Sequence, residues 1–390
     1  MKRANLFLAI ILLLTVITES RGQRQAVNND IIKVDVTKKY SSKKTLILQD
    51  FMDVEYIPLE TNDNFLNQGV VLDIGKKIIL VKNKTQDGDI FVYDRITGKA
   101  LRKINRRGQG PEEYTLPHEI TLDEDNGEMF VNDTPGKKIL VYDLYGKFKR
   151  NLKHGESWFS GIFNYDRNHL ICYDQFNEEI AFVLLSKQDG SITQKIKIPF
   201  NNKKSLAHSI KVGEIFNTVT PDPYRTIIPF KGNWMLLELS SDTVYSFLPN
   251  YSLRPFIVRT PSVQSMNPEV FLLLKLISDR YYFMETIKNV FDFDTNKGYP
   301  KTFLMYDKQE KAFFGYTVYN GDYSIKKEIY MNKLRPVNQE IESCQPLEAY
   351  QLVESYKKGE LKGKLKEIAA KLDEEDNPVI MLIKHKKPNN

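Results

Sequence analysis

Cysteine, glycine and proline are all scarce in this chain of 390 residues, and each scarcity excludes a class of protein. Two cysteines cannot form a disulfide scaffold or a zinc site of four thiolates. The 20 glycines and 17 prolines are too few for a collagen-like or low-complexity chain. With 41% hydrophobic residues, the chain is also too apolar to be disordered. The composition therefore predicts a folded, globular protein.

Charge of one sign is also lacking, because 56 basic residues stand against 50 acidic ones in an even distribution. A nucleic-acid-binding protein would concentrate its Lys and Arg residues on one face. Beyond the N-terminal segment, the chain has no run of 18 apolar residues that could span a membrane. We therefore expect neither a nucleic-acid partner nor a transmembrane segment in the mature chain.

The N-terminal segment has the layout of a secretory signal peptide. Lys2 lies in a basic start, an apolar run extends from Leu6 to Ile17, and Gly22 supplies a small residue for cleavage. The run is shorter than the roughly 20 residues that a spanning helix needs, although an uncleaved anchor is the alternative. We predict that residues 1–22 are removed, that the mature chain begins at Gln23, and that it is exported to the periplasm or cell surface.

The sequence does not determine whether the two cysteines form a disulfide bond. Cys172 lies in an alternating strand pattern, and Cys344 lies in a late, polar segment. An oxidising compartment permits a disulfide bond, but the sequence does not establish that the two thiols are close. A bridge and two separate thiols both remain open.

A strand-turn-strand unit recurs along the chain. Residues 90–104 and 139–152 both consist of an apolar strand, an Asp, a turn ending in Gly-Lys and a second strand. Weaker copies begin at Phe182, Ser241 and Phe303. Each copy follows another short hairpin, so that one unit contains four strands. Units of about 40 to 60 residues with four strands each are typical of β-propeller blades.

Counting these units gives a ring of six. Five of them cover residues 69–104, 117–152, 160–197, 208–258 and 280–318. The sixth is predicted from an N-terminal strand at Glu55 to Leu59 and a C-terminal strand at Pro378 to Ile383, because a propeller that does not close exposes raw sheet edges. The predicted fold class is all-β, a six-bladed β-propeller of four-stranded antiparallel blades closed by the N- and C-terminal strands.

Long helical patterns are absent before residue 340 and occur only near the end of the predicted propeller. Residues 346–373 carry apolar residues at three- to five-residue spacings, which predicts one or two amphipathic helices inserted before the closing strand. We expect them to pack on the propeller edge; a partner-binding or membrane helix is the alternative. A further short helix is predicted near Pro268 to Ile277. The domain organisation is then a lead segment at 23–45 followed by one propeller domain at 46–390.

Three segments resemble a known family. Residues 129–148 resemble the repeat of NHL-type propellers, with a strand, an Asp, a small-residue turn, a basic residue and a second strand ending in Asp. Residues 106–114 resemble the Gly-x-Gly-Pro-x-Glu-Tyr loop of the exported six-bladed propellers of Bacteroidetes, which are of the NHL/TolB-like type, and the ending Asp376-Asn377-Pro378 is similar to their closing segment. The resemblance implies the fold and export. It implies little about function, because most of those proteins have no assigned activity.

The loop at residues 106–114 is the densest polar constellation. Its candidate ligand-binding residues are Arg106, Arg107, Gln109, Glu112 and Tyr114. Gly108 and Gly110 could present backbone N–H groups beside the two guanidinium groups to an anion or carboxylate. The alternative, which the sequence favours, is a clamp between blades with Tyr114 packed between sheets. The loop lacks the Gly-Lys-Ser or Gly-Lys-Thr of a nucleotide loop.

Asn132 and Asp133 are the candidates for a site on the propeller axis. In the NHL-like register they end the second strand of their blade, and some related six-bladed lactonases and lyases hold a divalent ion with Glu, Asn and Asp around the axis. Oxygen ligands would suit Ca²⁺. His118 is a further candidate to line the central funnel. The acidic run at residues 123–127 lacks the EF-hand spacing and predicts a hairpin turn instead.

The predicted function is therefore an exported binding module without evident catalysis or cofactor. Its loops would bind a protein partner or a small-molecule or glycan ligand. The alternative is a metal-assisted, calcium-type lyase or lactonase acting on a saccharide-derived substrate. The 21 Tyr and 22 Phe residues would suit sugar stacking, but propellers also need aromatic side chains between blades. Three or more oxygen ligands converging on the axis would favour the enzyme, whereas a closed or apolar axis would favour the module.

Overall fold

The structure is a computed structural model that describes residues 31–85, 87–117, 119–153, 157–222 and 224–386. The chain divides into two compact units, Met1–Ile32 and Lys33–Asn390, and the second contains the propeller. His118, one of the predicted ligand-binding residues, lies outside the described residues, as does the predicted signal peptide at 1–22.

The described chain begins with short elements that join blades formed later in the sequence. They are β1 (Ile32–Asp35), β2 (Lys43–Ile47), helix α1 (Leu48–Phe51) and β3 (Met52–Pro58). β1 adds a strand to the outer edge of the fourth blade. β2 runs parallel to the last strand of the fifth blade, with Lys43 opposite Gly315 and Ile47 opposite Tyr319.

The first three blades are four-stranded antiparallel meanders. Blade one contains β4 (Val70–Ile74), β5 (Ile78–Lys82), β6 (Asp89–Asp94) and β7 (Ala100–Asn105). Blade two contains β8 (Glu119–Asp123), β9 (Glu128–Asp133), β10 (Lys138–Asp143) and β11 (Phe148–Lys153). Blade three contains β12 (Phe159–Asn164), β13 (His169–Asp174), β14 (Phe182–Ser186) and β15 (Ile192–Ile196). Because blades stack face to face, β9 is buried along its whole length, whereas only Leu152 is buried in the outer strand β11.

The fourth and fifth blades differ in detail from the predicted units. A separate hairpin, β16 (His208–Val212) and β17 (Ile215–Val219), precedes blade four, which contains β18 (Ile227–Phe230), β19 (Asn233–Leu236), β20 (Thr243–Phe247) and β21 (Leu253–Thr260). Blade five contains β22 (Val270–Ile277), β23 (Tyr281–Lys288), β26 (Lys301–Asp307) and β27 (Ala312–Tyr319), with the small strands β24 (Phe291–Asp292), β25 (Lys297–Gly298) and β28 (Glu328–Ile329) beside them. Short 3-10 turns lie at Val263–Ser265 and Met331–Lys333.

Two features predicted from the sequence are therefore wrong, the limits of the fourth unit and the helix near Pro268 to Ile277. The fourth unit is predicted at 208–258, but residues 208–219 form their own two-stranded sheet and the blade begins at Ile227. The predicted helix near Pro268 to Ile277 is the strand β22, the first strand of blade five. Residues Phe271 to Ile277 are buried on both faces, and periodicity cannot distinguish such an apolar run from a buried helix.

The sixth blade closes the ring, as predicted. β29 (Ile341–Leu347) pairs with β30 (Val379–His385), and β30 pairs with the N-terminal strand β3 from Met52 opposite His385 to Pro58 opposite Val379. The predicted fold class is confirmed, with three regular strands rather than four in this blade. Helices α2 (Ala349–Lys357) and α3 (Gly363–Ala369) lie between β29 and β30 and pack on the outer part of blades five and six through Leu352, Leu365 and Ile368.

An irregular segment, residues 333–338, takes the inner position of the sixth blade. The N–H of Asn338 donates to the Ile341 carbonyl at 3.0 Å, and the N–H of Arg335 donates to the Ser343 hydroxyl at 2.9 Å. Pro336 has no N–H group, so the segment cannot form a regular ladder with β29. This irregular segment brings two basic side chains to the axis of the ring.

The recurring Gly-Lys turn of the sequence makes contacts between blades. Gly98 has a φ of +70°, and a Cβ atom there would lie 1.9 Å from the Pro58 carbonyl oxygen of blade six. Gly146, at the equivalent turn of blade two, has a φ of +85° and a Cβ atom would lie 2.7 Å from Ile104 of blade one. Glycine satisfies both demands, the left-handed conformation and the close approach.

Candidate functional site

The first strands of neighbouring blades surround a cavity of about 820 Å³ on the axis of the ring. Five of the six blades contribute to its wall, through β4, β8 and β12, the residues around β18 and β19, and the segment 333–346. A volume between about 300 and 1,000 Å³ is that of a small-molecule site. We refer to this space as the axial cavity.

Two carboxylates from adjacent blades, Asp73 on β4 and Glu119 on β8, lie in the wall of the axial cavity. The Asp73 carboxylate accepts hydrogen bonds from the N–H groups of Ile74, at 2.8 Å, and Leu122, at 2.7 Å. Burial nevertheless raises the pKa of Asp73 to about 7. Burial also raises the pKa of Glu119, against the opposing effect of Arg225. Both carboxyl groups are therefore held in surroundings that disfavour their charged forms.

Two guanidinium groups lie in the same wall. Nη1 of Arg225 donates to Oε1 of Glu119 at 3.1 Å, and the Arg225 guanidinium lies 5.3 Å from the centre of the Phe163 ring. Among the described residues, Nε of Arg225 is buried without a hydrogen-bond partner. Arg335 enters from the irregular segment of blade six. Burial and the Arg225 charge lower the pKa of Arg335, and both guanidinium groups line the axial cavity.

Aromatic and neutral polar side chains complete this region of the wall. The rings of Phe163 and Trp234 meet at 5.9 Å between centroids, and both residues line the axial cavity. Thr121 and Asn164 add polar groups, and Cys344 adds a thiol. Burial raises the pKa of the Cys344 thiol to about 12, so the thiol is protonated at neutral pH. Cys344 and the fully buried Cys172 are both free thiols, so they do not form a bridge.

Other charged side chains in the wall of the axial cavity form contacts between blades. The Glu55 carboxylate accepts from Arg95 at 2.7 Å and from Lys384 at 2.9 Å, and the Arg95 guanidinium in particular lowers the pKa of Glu55 to about 2. Glu124 accepts from the backbone N–H of Lys76 at 2.7 Å and so links blade two to blade one. These charges are already used in contacts between blades.

The predicted loop at 106–114 lies away from the axial cavity and joins blades one and two. The Tyr114 ring is fully buried, and its hydroxyl donates to the Gly88 carbonyl at 2.8 Å and accepts from the Arg106 N–H at 2.9 Å. Nε of Arg106 donates to the Gly146 carbonyl at 2.8 Å, and the Tyr142 hydroxyl donates to the Glu112 carbonyl at 2.6 Å. This is the geometry of the clamp alternative.

The remaining residues of that loop lie at the surface. Arg107 forms a single parallel bridge with Tyr114, and the side chains of Arg107 and Gln109 are exposed. The structure therefore brings Arg106, Glu112 and Tyr114 together in the clamp. That the loop binds a ligand stays a prediction.

Asn132 and Asp133 do not line the axial cavity. The Asn132 amide donates to the Phe159 carbonyl at 2.8 Å, and the residue lies opposite Glu119 in the ladder, one strand behind the wall. Asp133 accepts from the Thr115 N–H at 3.3 Å, within the clamp region. Both side chains are buried between blades.

The described part of the chain contains no group of three or more His, Cys, Asp or Glu side chains that could hold a metal ion. In the axial cavity, the oxygens of Asp73 point to backbone N–H groups and Glu119 to a guanidinium. These residues do not form the oxygen cage that Ca²⁺ requires. The axial cavity is therefore not closed and apolar, and a calcium ion on the axis stays a prediction.

The sequence does not predict the four charged residues of the axial cavity, Asp73, Glu119, Arg225 and Arg335, because they lie far apart along the chain. The sequence feature that could have identified them is a single charged residue in the otherwise apolar first strand of a unit. Asp73 in the first blade and Glu119 in the second are such residues. Arg225 and Arg335 lie outside regular strands, where no periodicity singles them out. Only closure of the ring brings these four groups together.

The chain belongs to the family described as "Domain of unknown function (DUF4934)", whose model matches residues 31–384. Its fold is similar to that of the "putative exported protein" of Bacteroides fragilis NCTC 9343, with a TM-score of 0.55 and 15% identity over 91% of this chain and 99% of that chain. A DUF4221 family member from Bacteroides vulgatus ATCC 8482 matches at a TM-score of 0.43 and 9% identity, over 70% of this chain and 90% of that one.

Virginiamycin B lyase from Staphylococcus aureus matches at a TM-score of 0.33 and 10% identity, over 70% of this chain and 94% of the lyase. At these identities the similarities concern the fold alone. No curated protein matches the chain. None of the helices among the described residues is long and apolar enough to cross a membrane.

Proposed function

We propose that the protein is an exported binding module that captures a small polar ligand in the axial cavity. The observation that carries the proposal is a cavity of about 820 Å³ whose wall combines carboxylate, guanidinium and aromatic groups from several blades. A few convergent polar groups beside aromatic side chains are typical of small-molecule sites. The N-terminal signal-peptide pattern and the similarity to an exported propeller support export.

The rigidity of the wall also supports binding. Asp73 is held by two backbone N–H groups and Glu119 by Arg225, so these side chains do not need to be ordered when a ligand enters. Preorganised groups lower the entropic cost of association. The calcium-type lyase or lactonase has less support, because the axial groups do not form a metal-ligand set.

The two tryptophans offer a direct assay. Trp234 lines the axial cavity, whereas Trp158 lies at the propeller surface, so a Trp158→Phe variant leaves Trp234 as the sole tryptophan reporter. We expect saturable changes in Trp234 fluorescence with members of a panel of sugars, sugar acids, amino acids and short peptides.

A thiol reagent supplies the control for location. Cys344 lines the axial cavity and Cys172 is fully buried, so prolonged treatment with a bulky methanethiosulfonate, which reacts with thiolates and not with lysines, should label Cys344 alone and fill the cavity. Labelling should abolish ligand binding, whereas a Cys344→Ser variant treated in the same way should bind normally. Binding that survives complete labelling of Cys344 would contradict the proposal.

A further inference from the structure

We propose that Arg225 and Arg335 form an anion subsite in the axial cavity that holds the carboxylate of a sugar acid. This inference rests on the proposed function, because it names the class of ligand that the axial cavity takes. The two residues come from different sides of the ring, Arg225 from the start of blade four and Arg335 from the irregular segment 333–338 of blade six. A ligand in the axial cavity is therefore within reach of both residues.

The first argument is that two positive charges line the wall of the same cavity. Arg225 is part-buried and Arg335 is the more exposed of the two, and partial burial together with repulsion by the Arg225 charge lowers the pKa of Arg335. An anion that lies between the two guanidinium groups relieves this repulsion. Lys333 lines the same region and adds a third positive charge.

The second argument is that both arginines have N–H donors that no described residue uses. Arg225 uses Nη1 on Glu119, while its buried Nε has no hydrogen-bond partner among the described residues. Arg335 forms no ion pair within the part of the chain that the structure describes. Asp222, whose charge favours the protonated form of Arg335, is bound to Lys301 at 2.6 Å. Donors are therefore left over on both guanidinium groups, and a carboxylate with two oxygens is the acceptor that such groups bind best.

The third argument concerns the body of the ligand. Beside Arg225, the rings of Phe163 and Trp234 provide an apolar surface against which a pyranose ring can stack. Asp73 and Glu119 provide oxygens that can accept hydrogen bonds from hydroxyl groups. A carboxylate attached to a hydroxylated ring, as in a hexuronic acid, matches this combination, whereas a simple anion uses only the guanidinium groups.

The test measures ligand binding in the Trp158→Phe background by Trp234 fluorescence. The probes are galacturonate, its neutral counterpart galactose, acetate as a carboxylate without a ring, and digalacturonate as the oligosaccharide source of the same group. We expect galacturonate or digalacturonate to bind at least tenfold more tightly than galactose or acetate. A preference for digalacturonate would identify an oligosaccharide end as the source, and a preference for galacturonate the free sugar acid.

Variants of the two arginines test the subsite itself. Arg335→Ala should weaken binding about 10- to 100-fold, which corresponds to the loss of one charge-assisted hydrogen-bonded pair. Arg335→Lys keeps the charge without the forked geometry and should be intermediate. Arg254→Ala removes an equal charge from an exposed position on β21 and should leave binding unchanged. Because removing Arg225 would take away the cationic partner of Glu119, Arg225→Lys is the variant of choice there, and thermal melts verify that each variant folds.

The outcomes separate this inference from the proposed function. If a neutral member of the panel binds, is blocked by labelling of Cys344 and is unaffected by Arg335→Ala, the anion subsite is refuted and the binding module stands. Failure of both uronates to bind at millimolar concentration also refutes the anion subsite. If uronate binding survives labelling of Cys344, the ligand lies elsewhere and both proposals fail.

Discussion

Asn377, which precedes the closing strand β30, ties the C-terminal part of the chain to the N-terminal part. Its Oδ1 accepts from the Asn67 N–H at 2.9 Å, and its Nδ2 donates to the carbonyls of Glu60 at 2.8 Å and Phe65 at 2.6 Å. The side chain is almost wholly buried. In Asn377→Ala, the Phe65 carbonyl would keep the Tyr93 hydroxyl as a donor, at 3.0 Å. The Asn67 N–H and the Glu60 carbonyl would lose the partners that Asn377 supplies.

The expected loss follows from those two backbone groups. Glu60 is exposed and Asn67 is part-buried, so water can reach the two groups, and the loss of two hydrogen bonds of about 0.5–1.5 kcal/mol each should lower the free energy of unfolding of Asn377→Ala by about 1–3 kcal/mol. A domain of this kind has only about 5–15 kcal/mol in total. Asn377→Asp keeps an acceptor for the Asn67 N–H but turns a carboxylate oxygen towards two carbonyls, so it should be destabilising as well.

Urea unfolding followed by circular dichroism measures the effect, and Asn64→Ala is the matched control. Asn64 lies in the same connection between β3 and β4 and is exposed, so its replacement should change the unfolding free energy by less than about 0.5 kcal/mol. If Asn377→Ala unfolded at the same urea concentration as the parent, the hydrogen bonds of Asn377 would not secure the closure of the ring, and the reasoning would be refuted.

Three further predictions concern the contacts between blades, the axial cavity and export. Gly98→Ala should be more destabilising than Gly127→Ala in thermal melts, because both glycines have positive φ but only a Cβ atom at Gly98 meets backbone, at 1.9 Å from the Pro58 carbonyl oxygen; equal losses would contradict the contact. The folded state raises the pKa of Asp73 to about 7 from an ordinary value of 3.8, so the folded protein keeps a proton that the unfolded chain releases. Stability should therefore fall between about pH 4 and pH 7, and Asp73→Asn should remove that part of the fall in a pH series of melts; parallel curves would contradict it. N-terminal sequencing of the exported protein should begin at Gln23, and an intact Met1 would contradict cleavage.

The ring could be predicted from the sequence because its signals are local. The Asp-turn-Gly-Lys pattern at Gly98 and Gly146 specifies a hairpin through its turn chemistry, whatever surrounds it. The closing strand Val379 to His385 was visible as a short apolar run that needed a partner. Five blades and the closure follow from such features.

The innermost elements of blades five and six are harder to predict from the sequence, because tertiary packing and not a local sequence pattern determines their conformation. β22 is buried on both faces and therefore has no alternation, which is why Pro268 to Ile277 resembles a helix. The segment 333–338 contains Pro336 and forms no ladder, so no strand pattern marks it. The cavity residues Asp73 and Arg335 are brought together only by the closed ring, and no spacing in the sequence predicts that they meet.

The most direct test of the account is a crystal structure of the protein soaked or co-crystallised with the uronate that binds most tightly. The account predicts electron density in the axial cavity, with the ligand carboxylate within about 2.7–3.2 Å of nitrogen atoms on both Arg225 and Arg335 and its ring beside Phe163 and Trp234. Ligand density confined to the loop at 106–114 or to the outer surface, with only solvent on the axis, would contradict it.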